Sequence, residues 1–177
     1  MLSRIVGLAL VVAAAASQAA AITPCDVNPA GSAQRVFAQV DEKHAWREFL
    51  KIEIVPSLDL EGGISAEVWN ESSGAMLVRT VEPGEDFWTY TKYCFAQNGA
   101  LVYCDFEVRT AWGWGYHAEG PVTDGKFHSA SERFLDTKKN QSIPKPQDAG
   151  DISDSLKPTV YPDARQLPFW KLMEKRK

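Results

Sequence analysis

Ile64-Ser65-Ala66-Glu67-Val68-Trp69-Asn70, a turn at Ser72-Ser73-Gly74, then Ala75-Met76-Leu77-Val78-Arg79-Thr80-Val81: this stretch decides the fold. Ile64, Ala66 and Val68 alternate with Ser65 and Glu67, the period of two that marks a half-buried strand. Two serines and a glycine then turn the chain, because they tolerate the dihedrals a tight connection needs. The second run returns along the first, and the pair predicts an antiparallel hairpin.

Toward the C-terminus the pattern repeats. Pro83-Gly84 has the residues of a type II turn. Strands are expected at about 86–96, 100–112, 114–122 and 126–136, with Asn98-Gly99 and Asp124-Gly125 as two of the connections. Toward the N-terminus, Leu50, Ile52 and Ile54 alternate with Lys51 and Glu53 until Pro56 stops the run. Before them, Ser32 can cap a helix whose Ala33, Val36, Phe37 and Val40 share one face. The expected fold is mostly β, of the α+β class. An N-terminal helix precedes an antiparallel meander of about six strands, forming a curved sheet or partial barrel.

The ends of the chain differ in composition. In residues 1–21, Arg4 supplies a positive start, Ile5 through Ala16 an apolar run, and Ala19-Ala20-Ala21 a small-residue cleavage site. That is the three-part pattern of a secretory signal. The apolar run is shorter than the roughly 20 residues a membrane span requires, and no later stretch qualifies. The mature chain is therefore expected to be exported, periplasmic or secreted, with no transmembrane segment. Removing 21 of 177 residues leaves 156. The signal carries one arginine and no acid, so the formal charge moves from −4 to −5. A mildly acidic chain without a basic cluster excludes nucleic acid as the expected partner. Lys171 to Lys177 reads as a solvated end. The domain is expected to occupy residues 22–136, opening with a polar leader at 22–31. Residues 137–177 hold half of the prolines among polar residues and read as an extended tail, with 167–173 apolar enough to dock.

Cys25, Cys94 and Cys104 are the three cysteines. Export favours pairing, and an odd count leaves one over. A two-residue Asn98-Gly99 turn would set Cys94 opposite Tyr103 and point the two sulfurs to opposite faces. A three- or five-residue loop, with Gly99 left-handed, brings both to one face. The apolar positions Val102, Cys104, Phe106 and Val108 favour the longer loop, and a Cys94–Cys104 disulfide is expected. Cys25 joined to one of them is the alternative. A lipid anchor on Cys25 is disfavoured, because Pro24 stands where such sites carry a small residue.

Candidate chemistry is sparse. With Asp124-Gly125 as a two-residue turn, His117 faces Glu132, and His117, Glu119, His128 and Glu132 share a surface. His128 lies four rungs from Glu132, about 13 Å at 3.3 Å per residue. At most His117, Glu119 and Glu132 converge, so neither a metal nor a catalytic set is assigned. No Gly-x-Ser-x-Gly turn or cofactor motif is present. The most unusual feature is Trp112-Gly113-Trp114-Gly115-Tyr116. Its rings fall on one face, and the same register puts Arg133 opposite Tyr116. Trp112, Trp114, Tyr116 and Arg133 are the candidate ligand-binding residues, and small neighbours beside the rings leave room for a pocket. Asn70 and Asn140 head two glycosylation sequons.

These observations support a non-catalytic exported binding protein holding an apolar or amphipathic small ligand. An extracytoplasmic protein-interaction module, such as an assembly factor or an enzyme inhibitor, is the alternative. A hydrolase using His117 with a carboxylate is a third reading.

Overall fold

A computed structural model describes residues 25–26, 28–29, 31–39, 45–49, 63–150 and 156–175. The signal segment and the strand expected at 50–54 lie outside the described residues. Within them the protein is mostly antiparallel β, with ten strands in one open sheet and little helix.

The strands are β1 (Arg35–Gln39), β2 (Arg47–Phe49), β3 (Ile64–Asn70), β4 (Met76–Pro83), β5 (Phe87–Phe95), β6 (Leu101–Thr110), β7 (Trp114–Thr123), β8 (Lys126–Phe127), β9 (Ser131–Asp136) and β10 (Gln141–Ile143). Their order is β10-β9-β7-β6-β5-β4-β3-β1-β2, with β8 paired to β7 beside this path. From β3 to β7 each strand neighbours the next in sequence, as the alternation of apolar residues predicts. Asp124 and Gly125 both take positive φ, 52° and 69°, the conformation of a two-residue type I′ turn. Gly84 does not take positive φ, so the type II turn expected after β4 is not formed.

The helix expected from Ser32 is also not formed. Arg35–Gln39 is a strand between β2 and β3. Val36, Phe37 and Ala38 are buried in succession. A strand covered on both faces reads as a continuous apolar run, and periodicity cannot separate that from one stripe of a helix.

The main core lies on one face of the sheet. Phe37, Val68, Val78, Tyr93, Phe95, Cys104, Phe106, Val108, Trp114 and Tyr116 form it with residues from the C-terminal segment. Composition understates that segment. Ala149, Ala164, Leu167 and Phe169 are all buried in the same core. Phe169 stacks on Phe37 at 4.8 Å between centroids and meets Trp46 at 5.0 Å. Arg35 donates to the carbonyls of Leu172 and Met173 at 2.9 Å each. It thereby satisfies carbonyls that the short helix Trp170–Glu174 leaves open. The few apolar residues between the prolines are thus the ones that touch the sheet.

The opposite face carries a smaller cluster of Cys25, Ala75, Leu77 and Cys94, flanked by Trp69, Val102 and Tyr103. Here the disulfide expectation is corrected. Cys94 is bonded to Cys25, and Cys104 is a buried free thiol. The loop itself is the longer one: Gly99 has φ +88° and Ala96 donates to Ala100. A register shift then falls between Cys94 and Phe95, so Phe95 faces Leu101 but Cys94 faces Tyr103. One extra residue in β6 reverses the parity. Cys104 points into the main core, Cys94 to the other face, and the leader reaches Cys94 there.

A second register shift separates the hairpin turn from β9. Val122 faces Phe127, a partner sum of 249, but His117 faces Arg133, a sum of 250. Residues 128–130 bulge across Gly120. A Cβ there would lie 2.0 Å from the His128 carbonyl oxygen, so only glycine admits the crossing.

Candidate functional site

The face opposite the main core is crossed by a row of ionisable side chains at one level. Glu67 pairs with Arg79, Arg79 with Lys92, Lys92 with Asp105, and Asp105 with Glu119. Alternation puts all five on the same face of β3 to β7. Opposite signs meet at two of the four steps, Glu67–Arg79 and Lys92–Asp105, and the ion pairs form there. Arg79 forms an ion pair with Glu67, and Lys92 Nζ lies 3.0 Å from Asp105 Oδ2. Arg79 also lies over the Trp69 ring, 5.7 Å from its centroid.

At one end, His117 Nε2 is 3.0 Å from Asp105 Oδ1, and Tyr103 donates to Glu119 at 2.8 Å. Hydrogen bonding to Asp105 raises the His117 pKa above its ordinary value against the opposing effect of burial. Burial pushes the Asp105 carboxyl up, but the hydrogen bonds from His117 and Lys92 outweigh it and hold the group below its ordinary range. Burial, with Glu119 beside it, raises the Tyr103 phenol. Ligand atoms of Asp105, His117 and Glu119 lie within 4.8 Å of one another. The Lys92 ammonium beside Asp105 opposes a cation there, and the carboxylates already accept from Lys92, His117 and Tyr103. His117 Nδ1 has no hydrogen-bond partner among the described residues. Among the described residues, no hydroxyl or thiol bonds to this nitrogen.

At the other end the leader crosses the row, tethered by Cys25–Cys94. Between leader and sheet runs a groove of ≈480 Å3. Its floor includes Glu67, Leu77, Arg79 and Lys92; Trp69 lines it, and Asn28 and Ser32 border it from the leader. Lys92 Nζ bonds Asn28 Oδ1 at 3.2 Å, and Trp69 Nε1 donates to the Gly31 carbonyl at 3.4 Å. Glu67 is 3% exposed. Burial raises its pKa and Arg79 counters that rise. Glu67 Oε1 and Arg79 Nε are both buried and have no hydrogen-bond partner among the described residues.

Of the four sequence-predicted ligand residues, Trp112 and Trp114 meet at 6.0 Å between ring centroids, and Arg133 stands apart from the rings. Trp112 is 46% exposed at the β6–β7 turn. Trp114 and Tyr116 are buried in the main core, where both pack against Phe134 at 5.9 and 5.1 Å. Trp114 Nε1 donates to Asp148, and the Tyr116 hydroxyl donates to Glu132. Burial and that bond push the tyrosine up to about 12. Arg133 faces His117, not Tyr116, because of the shift at Gly120. The same shift sets Glu132 opposite Ala118, so the expected His117–Glu132 pair is replaced by His117–Asp105. His128 is exposed beyond β8. Sequence reasoning missed the groove. Its available signal was a charged residue at one level of each central strand, visible only once the register is known.

The chain matches no known family model, no curated protein and no solved structure.

Proposed function

We propose that this is an exported, non-catalytic binding protein that holds a small amphipathic ligand in the groove between its leader and the charged row. The observation that carries the reading is the groove itself. Its ≈480 Å3 falls in the size range of small-molecule sites, about 300–1,000 Å3, and it joins apolar walls to a few convergent polar groups. The Cys25–Cys94 disulfide supports export, since such bonds persist in oxidising compartments. No helix among the described residues is long and apolar enough to cross a membrane.

A thermal-shift screen of fatty acids, isoprenoids, aromatic metabolites and short glycans tests the proposal. A ligand at a hundredfold excess over its Kd stabilises the folded state by about 2.7 kcal/mol. The stabiliser should lose its effect in Trp69→Ala and keep it in Trp112→Ala. A response unchanged by Trp69→Ala would place the ligand elsewhere and end this reading. The interaction-module reading is favoured by one observation, the sheet edge at β10, whose Gln141 and Ser142 are exposed. An unpaired strand edge is a template for adding a partner strand.

A further inference from the structure

We infer that the groove takes a small amphipathic carboxylate, with its anionic head between Arg79 and Lys92 and its apolar body against Trp69. The inference rests on the binding reading above and names the ligand class for that site.

Arg79 and Lys92 stand directly opposite each other on β4 and β5. Residues so placed have Cβ atoms roughly 5 Å apart, and two like charges there are unfavourable. Each cation has its own carboxylate on the far side, Glu67 for Arg79 and Asp105 for Lys92. In both pairs the acid is the covered member. The Arg79 side chain is 43% exposed against 4% for Glu67, and that of Lys92 26% against 12% for Asp105. The four charges therefore balance in sum, but the cations are the ones presented, and both line the groove.

Neither ion pair has to break for an anion to bind. An ammonium group has three donors, and Lys92 gives two of them to Asn28 and Asp105. Arg79 pairs with Glu67 through Nη2 and buries Nε; Nη1 is the nitrogen left for a ligand. A carboxylate with one oxygen on each cation offsets their repulsion, and such charge-assisted hydrogen bonds are roughly twice as strong as neutral ones. The rest of the ligand follows from what adjoins that step. The Arg79 guanidinium lies over the Trp69 ring, so the anion site and the indole are contiguous. Trp69 Nε1 is held by the Gly31 carbonyl, and Pro29 and Ala33 add apolar lining from the leader. A neutral ligand would cover Trp69 but leave the Arg79–Lys92 step as it is. An inorganic anion would serve that step but leave the indole uncovered.

The test uses the oxidised mature protein. Titration calorimetry and tryptophan fluorescence are recorded with octanoate and phenylacetate, and in parallel with the uncharged octanamide and phenylacetamide. At least one carboxylate should bind, tenfold or more tightly than its amide. Its Kd should rise tenfold or more in Lys92→Gln, in Arg79→Gln and in Trp69→Ala, with Trp112→Ala unchanged. Where Arg79→Gln fails to fold because Glu67 is left without its partner, Glu67→Gln and Arg79→Gln together leave no carboxylate unpaired and should show the same loss. If an amide binds as well as its acid, or binding is lost in Trp69→Ala but ignores either cation variant, the groove reading stands and the carboxylate inference is overturned. If no probe binds, or binding is unchanged in Trp69→Ala, both are overturned.

Discussion

Replacing Cys25 by serine should release the leader and destabilise the protein strongly. The bond joins residues 69 positions apart. In the chain-entropy model, opening a loop of that length returns roughly 4 kcal/mol of freedom to the unfolded chain. The loop expected from sequence, between Cys94 and Cys104, would have returned roughly 2–3 kcal/mol. The two pairings therefore differ in magnitude as well as in peptide map. Cys25 is 4% exposed and packs with Ala75 and Leu77, so loss of its packing adds to the entropic effect. Urea unfolding of oxidised wild type, Cys25→Ser and Cys104→Ser, each monitored by far-UV circular dichroism, measures the difference. Alkylation under denaturing conditions without reductant should label Cys104 alone. A Cys94–Cys104 linked peptide, or a Cys25→Ser protein within about 0.5 kcal/mol of wild type, would refute the assignment.

Phe169→Ala should cost about 3–5 kcal/mol, read from the urea midpoint, because the ring stacks between Phe37 and Trp46; truncation after Asp136 should abolish cooperative unfolding altogether. Trp114→Ala should cost a similar amount, about 3–5 kcal/mol, and should leave the response to any groove ligand unchanged in the thermal-shift assay. The Asp105–His117 contact makes stability pH-dependent at both ends. His117, raised above its ordinary 6.5, contributes fully below that value and loses its contribution as pH rises through the raised value; Asp105, lowered from 3.8, contributes fully above 3.8 and loses its contribution as pH falls through the lowered value. Thermal midpoints measured from pH 3 to 9 should therefore fall as pH rises above 6.5 in wild type, and His117→Gln should flatten that limb.

The central meander was legible because apolar and polar residues alternate along β3, β6 and β7 and turn residues separate the strands. β1 was not, because Val36, Phe37 and Ala38 are buried together and carry no period of two. The cysteine pairing and the Arg133 position failed for a shared reason. Each depended on register carried past a turn, and each met one extra residue, near Cys94 in the first case and at 128–130 in the second. A bulge of one residue changes no composition and little hydrophobicity, yet exchanges the faces of every side chain beyond it. The contribution of Phe169 was hidden because a proline-rich segment needs few apolar residues to cover a sheet when each lands on it. Trp69 and Glu67 looked like ordinary members of an alternating strand; what singles them out is the leader that crosses them.

The level row of charges from Glu67 to Glu119 has a meaning for assembly of the sheet as well as for ligands. Suppose β5 slipped by one residue against β4 while the chain was collapsing. Lys92 would turn into the main core, among Val78, Cys104 and Tyr161, and Tyr93 and Phe95 would leave it for the other face. The mismatch would bury an ammonium group with no carboxylate at hand, a far larger penalty than the loss of one apolar contact. Because β3, β4, β5, β6 and β7 each place a charge on the same rung, every hairpin in the meander carries its own check on alignment. The row thus makes a one-residue slip costly at each hairpin of the meander.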